Sequence, residues 1–373
     1  MKYLMEKAFK YRIYPNKAQK VLLAKTFGCC RFVYNYYLNM HNDAYKKDGT
    51  YLNYYDYAND LKSLKTAKPW LKEVDSTSLQ SAVRDLDIAF KNFIKHGKGQ
   101  PHFKSKKTHA FSYTSKCVNG NIMYLEKHIK LPKLGLVKTR NRLKPEGRIL
   151  SATILQTPSG KYYVSLCCTE VKATPFVKTN TNVGIDLGIK DFAILSSGEK
   201  IPNPKYLQHA LLKLAKAQRA LSRKTKFSAN YNKARLKVAR LQEHVAAQRK
   251  DYLHKLSTYI VRTYDIIGIE DLTVSNMIKN HKLARNIADV SWSEFTRQLE
   301  YKAAWYNKTV IRVNTFYASS QTCSNCGTKH PITKDLKVRR WTCHNCGMEL
   351  DRDINAAINI LNESLRILSE RAA

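Results

Sequence analysis

Two Cys-x-x-Cys turns, Cys323/Cys326 and Cys343/Cys346, stand sixteen residues apart. No other feature restricts the chain as tightly, because four thiolates at this spacing converge on one tetrahedral ion. A redox dithiol needs a single such turn, and a second has no place in that chemistry. Residues 319–350 are therefore expected to form a zinc ribbon around one Zn²⁺, whose binding supplies local folding energy. With four sulfurs available, His330 and His344 are expected to face solvent or phosphate rather than the metal. Cys29, Cys30, Cys117, Cys167 and Cys168 lack this spacing and read as ordinary buried thiols.

The ribbon runs straight into "DRDINAAINIL", where Asp351 and Asp353 stand at the start of a helical pattern. Two further acids occupy apolar strands: Asp186, flanked by Ile185 and Leu187 in "NVGIDLGIK", and Glu270 at the end of "IIGIE". A carboxylate in such a strand is costly unless something positive holds it. Two Mg²⁺ ions shared among such acids would meet that need, and would clamp the attacking and leaving oxygens of a phosphodiester. The plainer reading, a surface acid or a helix cap, suits Asp351 and Asp353 best and Asp186 least.

The partner of this chemistry follows from charge. Lys and Arg number 65 against 29 Asp and Glu, a net charge of +36. Residues 1–180 carry 33 basic and 12 acidic groups and residues 181–373 carry 32 and 17, so the excess is not a detachable tail. A charge of this size repels itself, and the usual compensating partner is a nucleic acid, bound in a strongly salt-dependent way. No stretch approaches the ~20 apolar residues of a membrane span. Nothing at "MKYLMEKAFKYRIYP" reads as a signal peptide. The cysteines therefore point to a reducing, cytoplasmic setting.

Periodicity divides the chain. Val21, Leu22, Phe27, Phe32, Val33 and Tyr37 have helical spacing and suggest an amphipathic helix pair bending near Gly28. "STSLQSAVRDLDIAFKNFIKH" is a second helix that Ser76 or Ser78 can cap, and Gln80 on it could reach a base edge. Tyr51, Tyr54 and Tyr55 could stack on bases. "GKGQPHFKSKKTHAFSYT" is a basic loop interleaved with aromatics, and residues 120–170 alternate as short strands turning at Pro158-Ser159-Gly160. After a linker, "TPFVKTNT", come strand, turn at Gly188 and strand. A long helical hairpin broken at "KFSANYN", two more strands, the ribbon and a closing helix complete the chain.

The succession "GIDLGIK", "GIEDL", two Cys-x-x-Cys turns and "DRDINAAINI" resembles the TnpB family, transposon-encoded RNA-guided nucleases related to type V CRISPR effectors. "FGCCRFVYNYYL", "VRDLDIAFKNF" and "GQPHFKSKK" extend the resemblance to the front half. It implies a multidomain α+β protein: a helical and β-barrel-like nucleic-acid-binding front half, and an RNase H-like (RuvC) α/β nuclease domain with an inserted zinc ribbon. The implied boundaries are a β-rich, wedge-like domain at 1–12 and 110–175, a helical recognition domain at 13–109, the nuclease domain at 180–373 and the insert at 319–350. The family's acidic triad maps onto Asp186, Glu270 and Asp353, which fits the Asp-x-Asn-Ala-Ala pattern through Asn355, Ala356 and Ala357; Asp351 is the runner-up. Catalytic Mg²⁺, a guide RNA, double- and single-stranded target DNA, a transposon-adjacent motif and a nucleoid-associated location are implied with it. Two rivals use the same features: a conventional transposase or resolvase, and a non-enzymatic zinc-ribbon repressor. The repressor has no use for acids where phosphates must approach.

Overall fold

The computed structural model describes residues 3–108, 111–140, 143–281, 283–335 and 337–372. The chain falls into two compact units, residues 1–172 and 173–373. The expected boundary between 109 and 110 lies outside the described residues.

The first unit opens with strand β1 (Tyr3–Tyr14) and helix α1 (Lys17–Asp48). Asn16 caps α1 reciprocally with Gln19: Asn16 Oδ1 accepts from the Gln19 N–H at 2.8 Å and Gln19 Oε1 from the Asn16 N–H at 3.0 Å. The expected bend at Gly28 is absent. α1 runs unbroken through it for 32 residues, since a glycine with helical neighbours weakens a helix without ending it. Helices α2 (Tyr54–Ala67) and α3 (Ser76–His96) follow. Asp75, rather than Ser76 or Ser78, caps α3, accepting from the Thr77 and Ser78 N–H groups at 3.4 and 3.1 Å.

Six strands complete the unit: β2 (Phe111–Lys116), β3 (Met123–Leu125), β4 (His128–Leu131), β5 (Gly135–Thr139), β6 (Arg148–Gln156) and β7 (Tyr162–Ala173). They join β1 in one sheet ordered β2-β6-β7-β1-β5-β4-β3. Closure into a barrel is not seen among the described residues: β2 and β3 are outer strands with one neighbour each. Helices and sheet share one core, in which Leu23, Phe27, Val33, Leu79 and Val83 meet Ile154, Val164 and Leu166.

The second unit is built on β8 (Asn182–Leu187), β9 (Asp191–Leu195) and β10 (Lys200–Pro202), then the hairpin of α4 (Tyr206–Ser222) and α5 (Ala229–Thr263). Next come β11 (Ile266–Glu270), a single turn α6 (Val274–Met277), α7 (Ala284–Val290), α8 (Trp292–Tyr306) and β12 (Thr309–Val313). A two-stranded ribbon, β13 (Arg340–Thr342) and β14 (Glu349–Asp351), leads into α9 (Arg352–Ala372). The main sheet is ordered β10-β9-β8-β11-β12; β10, β9 and β8 run antiparallel, while β11 is parallel to β8 and β12. On one face Val183, Ile185, Ile267 and Ile269 pack with Leu253, Ile260, Phe295 and Leu299 of α5 and α8. The other face carries α9.

Two glycines set how close α9 comes. Gly184 and Gly268 are register partners on β8 and β11. A Cβ on Gly184 would lie 2.0 Å from the Ala357 carbonyl oxygen, and one on Gly268 would lie 2.2 Å from Ser364 Oγ. Only glycine admits the helix at this distance. The segment before β8 is anchored too: Phe176 stacks on Tyr306 with ring centroids 3.9 Å apart, and Asp265 accepts from the Thr179 and Asn180 N–H groups. Among the described residues no helix is long and apolar enough to cross a membrane.

Candidate functional site: an acidic cluster beside a four-cysteine ribbon

Side chains two apart on a strand share a face. Asp186 lies two residues beyond Gly184 and Glu270 two beyond Gly268, so both acids are on the α9 side of the sheet. The parallel register Ile269↔Ile185 makes them neighbours at the carboxyl ends of β8 and β11. Asp353 lies in the first turn of α9. Burial pushes the Asp186 carboxyl up to about 8, with the charges of Glu270 and then Asp353 adding to it. Burial also raises Glu270, against the pull of Ser319, whose hydroxyl donates to Oε1 at 2.7 Å. Negative charge beside a buried carboxyl opposes its ionisation, and the nearby Arg352 and Arg339 charges offset this in part for Asp186.

Each of two acids has its own partner. Arg339 of the ribbon lies 3.2 Å from the Asp353 carboxylate, while Ser319 holds Glu270. Asp186, Asp353 and Arg339 line a cavity of about 780 Å³ whose wall also bears Lys190, Lys205 and Arg285. Glu270 is not part of that lining. The lining thus mixes acidic side chains, Asp191 and Asp289 included, with basic ones.

Asp351 has different surroundings from Asp353. It is the last residue of β14 rather than a member of α9. It caps that helix, with Oδ1 accepting from the Asp353 and Ile354 N–H groups at 3.1 and 3.2 Å, and it pairs with Lys200 at 2.6 Å. Asn355 and Asn359 tie the helix to the start of the ribbon. Their side-chain amides donate to the Thr322 carbonyl at 2.8 and 2.6 Å, and Asn355 Oδ1 accepts from the Ser324 N–H at 2.8 Å.

The four cysteines bring their sulfurs within 4.8 Å of one another, the only such group among the described residues. Two equivalent knuckles produce this. Gly327 and Gly347 donate their N–H groups to the carbonyls of Cys323 and Cys343 and take φ of +75° and +70°, a conformation glycine adopts freely. The Thr328 hydroxyl, with the Asn345 side chain, draws Cys326 well below the usual thiol range. Such a thiolate set fits a structural zinc ion.

His330 departs from expectation. Instead of facing solvent or phosphate it is 4% exposed, with its Nε2 3.2 Å from Cys343 Sγ and its ring 4.4 Å from that of Trp341. Its burial depends on the fold of the ribbon, which spacing alone does not reveal. His344 is exposed. Ser319, the first residue of the ribbon, carried no signal; Arg339 belongs to the basic "KVRRW" loop, whose charge marks it for a substrate strand but not for Asp353. In the first unit Gln80 and Tyr55 are exposed, Tyr54 lies under the Arg84 guanidinium at 4.9 Å, and Tyr51 packs edge-on against His41 at 4.9 Å.

Comparison with known proteins matches residues 165–281 to a family model described as "Probable transposase". A "Cas12f1-like, TNB domain" model covers residues 292–360, and a "Helix-turn-helix domain" model covers residues 1–50, which here form one strand and one continuous helix. A Streptomyces pristinaespiralis protein named "Putative RNA-guided DNA endonuclease" is 41% identical, over 97% of this chain and 90% of its own. An Escherichia coli K12 protein, "Putative RNA-guided DNA endonuclease InsQ", is 34% identical over 97% of this chain and 93% of its own. The protein in the solved "Cas12f1-sgRNA-target DNA complex" aligns over 96% of this chain and 99% of its own, at 16% identity and a TM-score of 0.38.

Proposed function

Since the chain belongs to the TnpB family, we propose that it is an RNA-guided DNA endonuclease cutting beside a short transposon-adjacent motif, with Asp186, Glu270 and Asp353 as its catalytic acids. The observation that carries this reading is Asp186, an acid inside an apolar strand, raised by burial and by the charges of Glu270 and Asp353. A fold that only needed stability would not keep it. The sheet order β10-β9-β8-β11-β12 supports an RNase H-like (RuvC) domain over residues 180–373, with the ribbon of 319–350 inserted before α9.

Asp186, Glu270 and Asp353 would hold Mg²⁺, which supplies the positive charge that activates a water and stabilises the leaving oxygen. Around them the chain's own side chains bind and orient. Lys190, Lys205 and Arg285 on the cavity wall offer charge to a phosphate backbone. Arg339 pairs with Asp353 until a phosphate competes for its guanidinium. Ser319 fixes one oxygen of Glu270. The four cysteines would hold one Zn²⁺, which would brace the segment between β12 and α9. The basic first unit clamps the guide RNA and reads the motif on duplex DNA, while base pairing reads the target.

The description "Probable transposase" favours one rival, a conventional transposase using the same acids. Sequencing the RNA bound to the purified protein separates the two. One defined non-coding RNA is expected here, with Mg²⁺-dependent cleavage of plasmids matched to it. Asp186→Ala should abolish cleavage and spare binding of RNA and DNA. Full cutting by that variant would remove Asp186 from the site, and absence of a defined RNA would favour the transposase.

A further inference from the structure

A second cavity, of about 350 Å³, lies within the first unit. Its size is in the range of small-ligand sites. Phe27, Phe111 and Tyr113 form an aromatic wall, with Phe27 5.9 Å from Phe111 and 5.6 Å, edge-on, from Tyr113. Phe103, on the loop that follows α3, also lines it and is 52% exposed. That loop is built rather than loose. Asn35 of α1 holds the Lys104 backbone at both ends, accepting from its N–H at 2.8 Å and donating to its carbonyl at 3.0 Å. The Lys104 ammonium sits 3.8 Å from the centre of the Tyr34 ring.

Two of the charged side chains that line the cavity, Arg31 and Asp85, are not tied to the fold by a hydrogen bond or ion pair with a described residue. Arg31 forms no ion pair with another described residue. The carboxylate of Asp85 accepts no hydrogen bond from one. A pocket with an aromatic wall, an exposed phenyl ring, two cations and a carboxylate that feels Lys104 and Lys116 only through space matches one repeating chemical unit: a planar base that donates hydrogen bonds, attached to a phosphodiester. Residues 1–172 carry 32 Lys and Arg against 12 Asp and Glu, which selects a polyanion over a peptide or a neutral small molecule.

We propose that this cavity receives one unpaired, amino-bearing base (cytosine, adenine or guanine) of a single strand, RNA or DNA. Phe103 stacks on the base, the Asp85 carboxylate accepts from its amino edge, and Arg31 and Lys104 hold the flanking phosphates. A base in a duplex cannot enter, because its edge is paired and its faces are stacked. The inference rests on the nucleic-acid reading above and adds to it a site that discriminates unpaired from paired nucleotides.

The test uses the full chain, freed of bound nucleic acid, and random-sequence pools of about 20 nucleotides, long enough to span a typical single-strand site. Fluorescence anisotropy measures binding to single-stranded RNA, single-stranded DNA and duplex DNA over a range of salt. Phe103→Ala should weaken at least one single-stranded pool roughly tenfold, with its salt slope unchanged, because stacking releases no counterions. Phe103→Tyr should retain binding. Arg31→Gln should flatten the slope by about 0.7, the value of one phosphate contact on a single strand. The arm that loses affinity identifies RNA or DNA as the source. Binding by Phe103→Ala within twofold of the parent on both single strands overturns the pocket and leaves the nucleic-acid reading standing. An equal loss on duplex also overturns it, since no unpaired base is then involved. If the parent binds no pool, the nucleic-acid reading itself has failed.

Discussion

At the scale of single residues, Asp351 and Asp353 have separate work despite lying two positions apart. Asp351 is consumed by the helix cap and by Lys200; among the described residues the Asp353 carboxylate pairs with Arg339 alone, and it shares a cavity with Asp186. Asp353→Ala is expected to eliminate cutting with guide binding intact. Asp351→Ala should cost about 1 kcal/mol of stability, the usual loss of a cap, and keep a substantial fraction of activity. Cleavage assays and thermal melts of the two variants decide it; an inactive Asp351→Ala beside an active Asp353→Ala would reverse the assignment. His330 supports the ribbon in another way. Burial keeps its ring below the usual histidine range and therefore neutral, and Nε2 can donate to the Cys343 sulfur. Hydrogen bonds behind a metal ligand commonly govern its affinity by about 10–100-fold. His330→Ala should therefore lose zinc to a colorimetric chelator at least about tenfold faster than the parent. An unchanged release rate would reduce His330 to a packing residue.

At the scale of elements, the glycine pair on β8 and β11 governs the site from a distance. Gly184→Ala would drive a methyl into the Ala357 carbonyl and to 2.5 Å from the Leu361 nitrogen, both backbone atoms that cannot turn aside. The helix must shift or the sheet must bend, at a cost of about 3 kcal/mol or more. Melting temperature and cleavage should fall together. Gly99→Ala, which meets nothing within 4 Å, is the control for stability and should leave the melting temperature unchanged. A Gly184→Ala protein with parental stability and activity would show that the contact yields cheaply. The same helix also shows what a sequence does and does not record. The strands around Asp186 and Glu270 were legible because apolar runs bounded by turns have few alternatives. The hairpin of α4 and α5 was legible because "KFSANYN" interrupts a helical period. The bend at Gly28 was misread because a glycine marks flexibility, and only packing decides whether it is used. The open sheet was not legible, since pairing among strands far apart in sequence leaves no local trace. Nor was the burial of His330 or the reach of Arg339 to Asp353. Both arise only after the ribbon has folded, from residues that look like ordinary surface groups in the chain.

At the scale of the whole molecule, the basic excess should dominate affinity. A chain of net charge +36 that contacts about 6–10 phosphates is expected to lose about 10³–10⁵ in affinity for nonspecific duplex between 50 and 200 mM salt. Binding titrations across that range check this, and a flat dependence would mean that the charge serves solubility instead. The order of the three acids along the chain has a consequence in time. Asp186 precedes Asp353 by 167 positions, and α9, which carries Asp353, covers the face of the sheet on which Asp186 stands. A ribosome adding about 5–20 residues per second needs roughly 8 to 33 s to get from one to the other. Throughout that interval the nascent chain carries most of its basic excess, yet lacks the third acid of the proposed set. On the proposed function, synthesis itself would impose a delay, and a ribosome stalled before residue 353 would leave a product able to bind nucleic acid and unable to cut it.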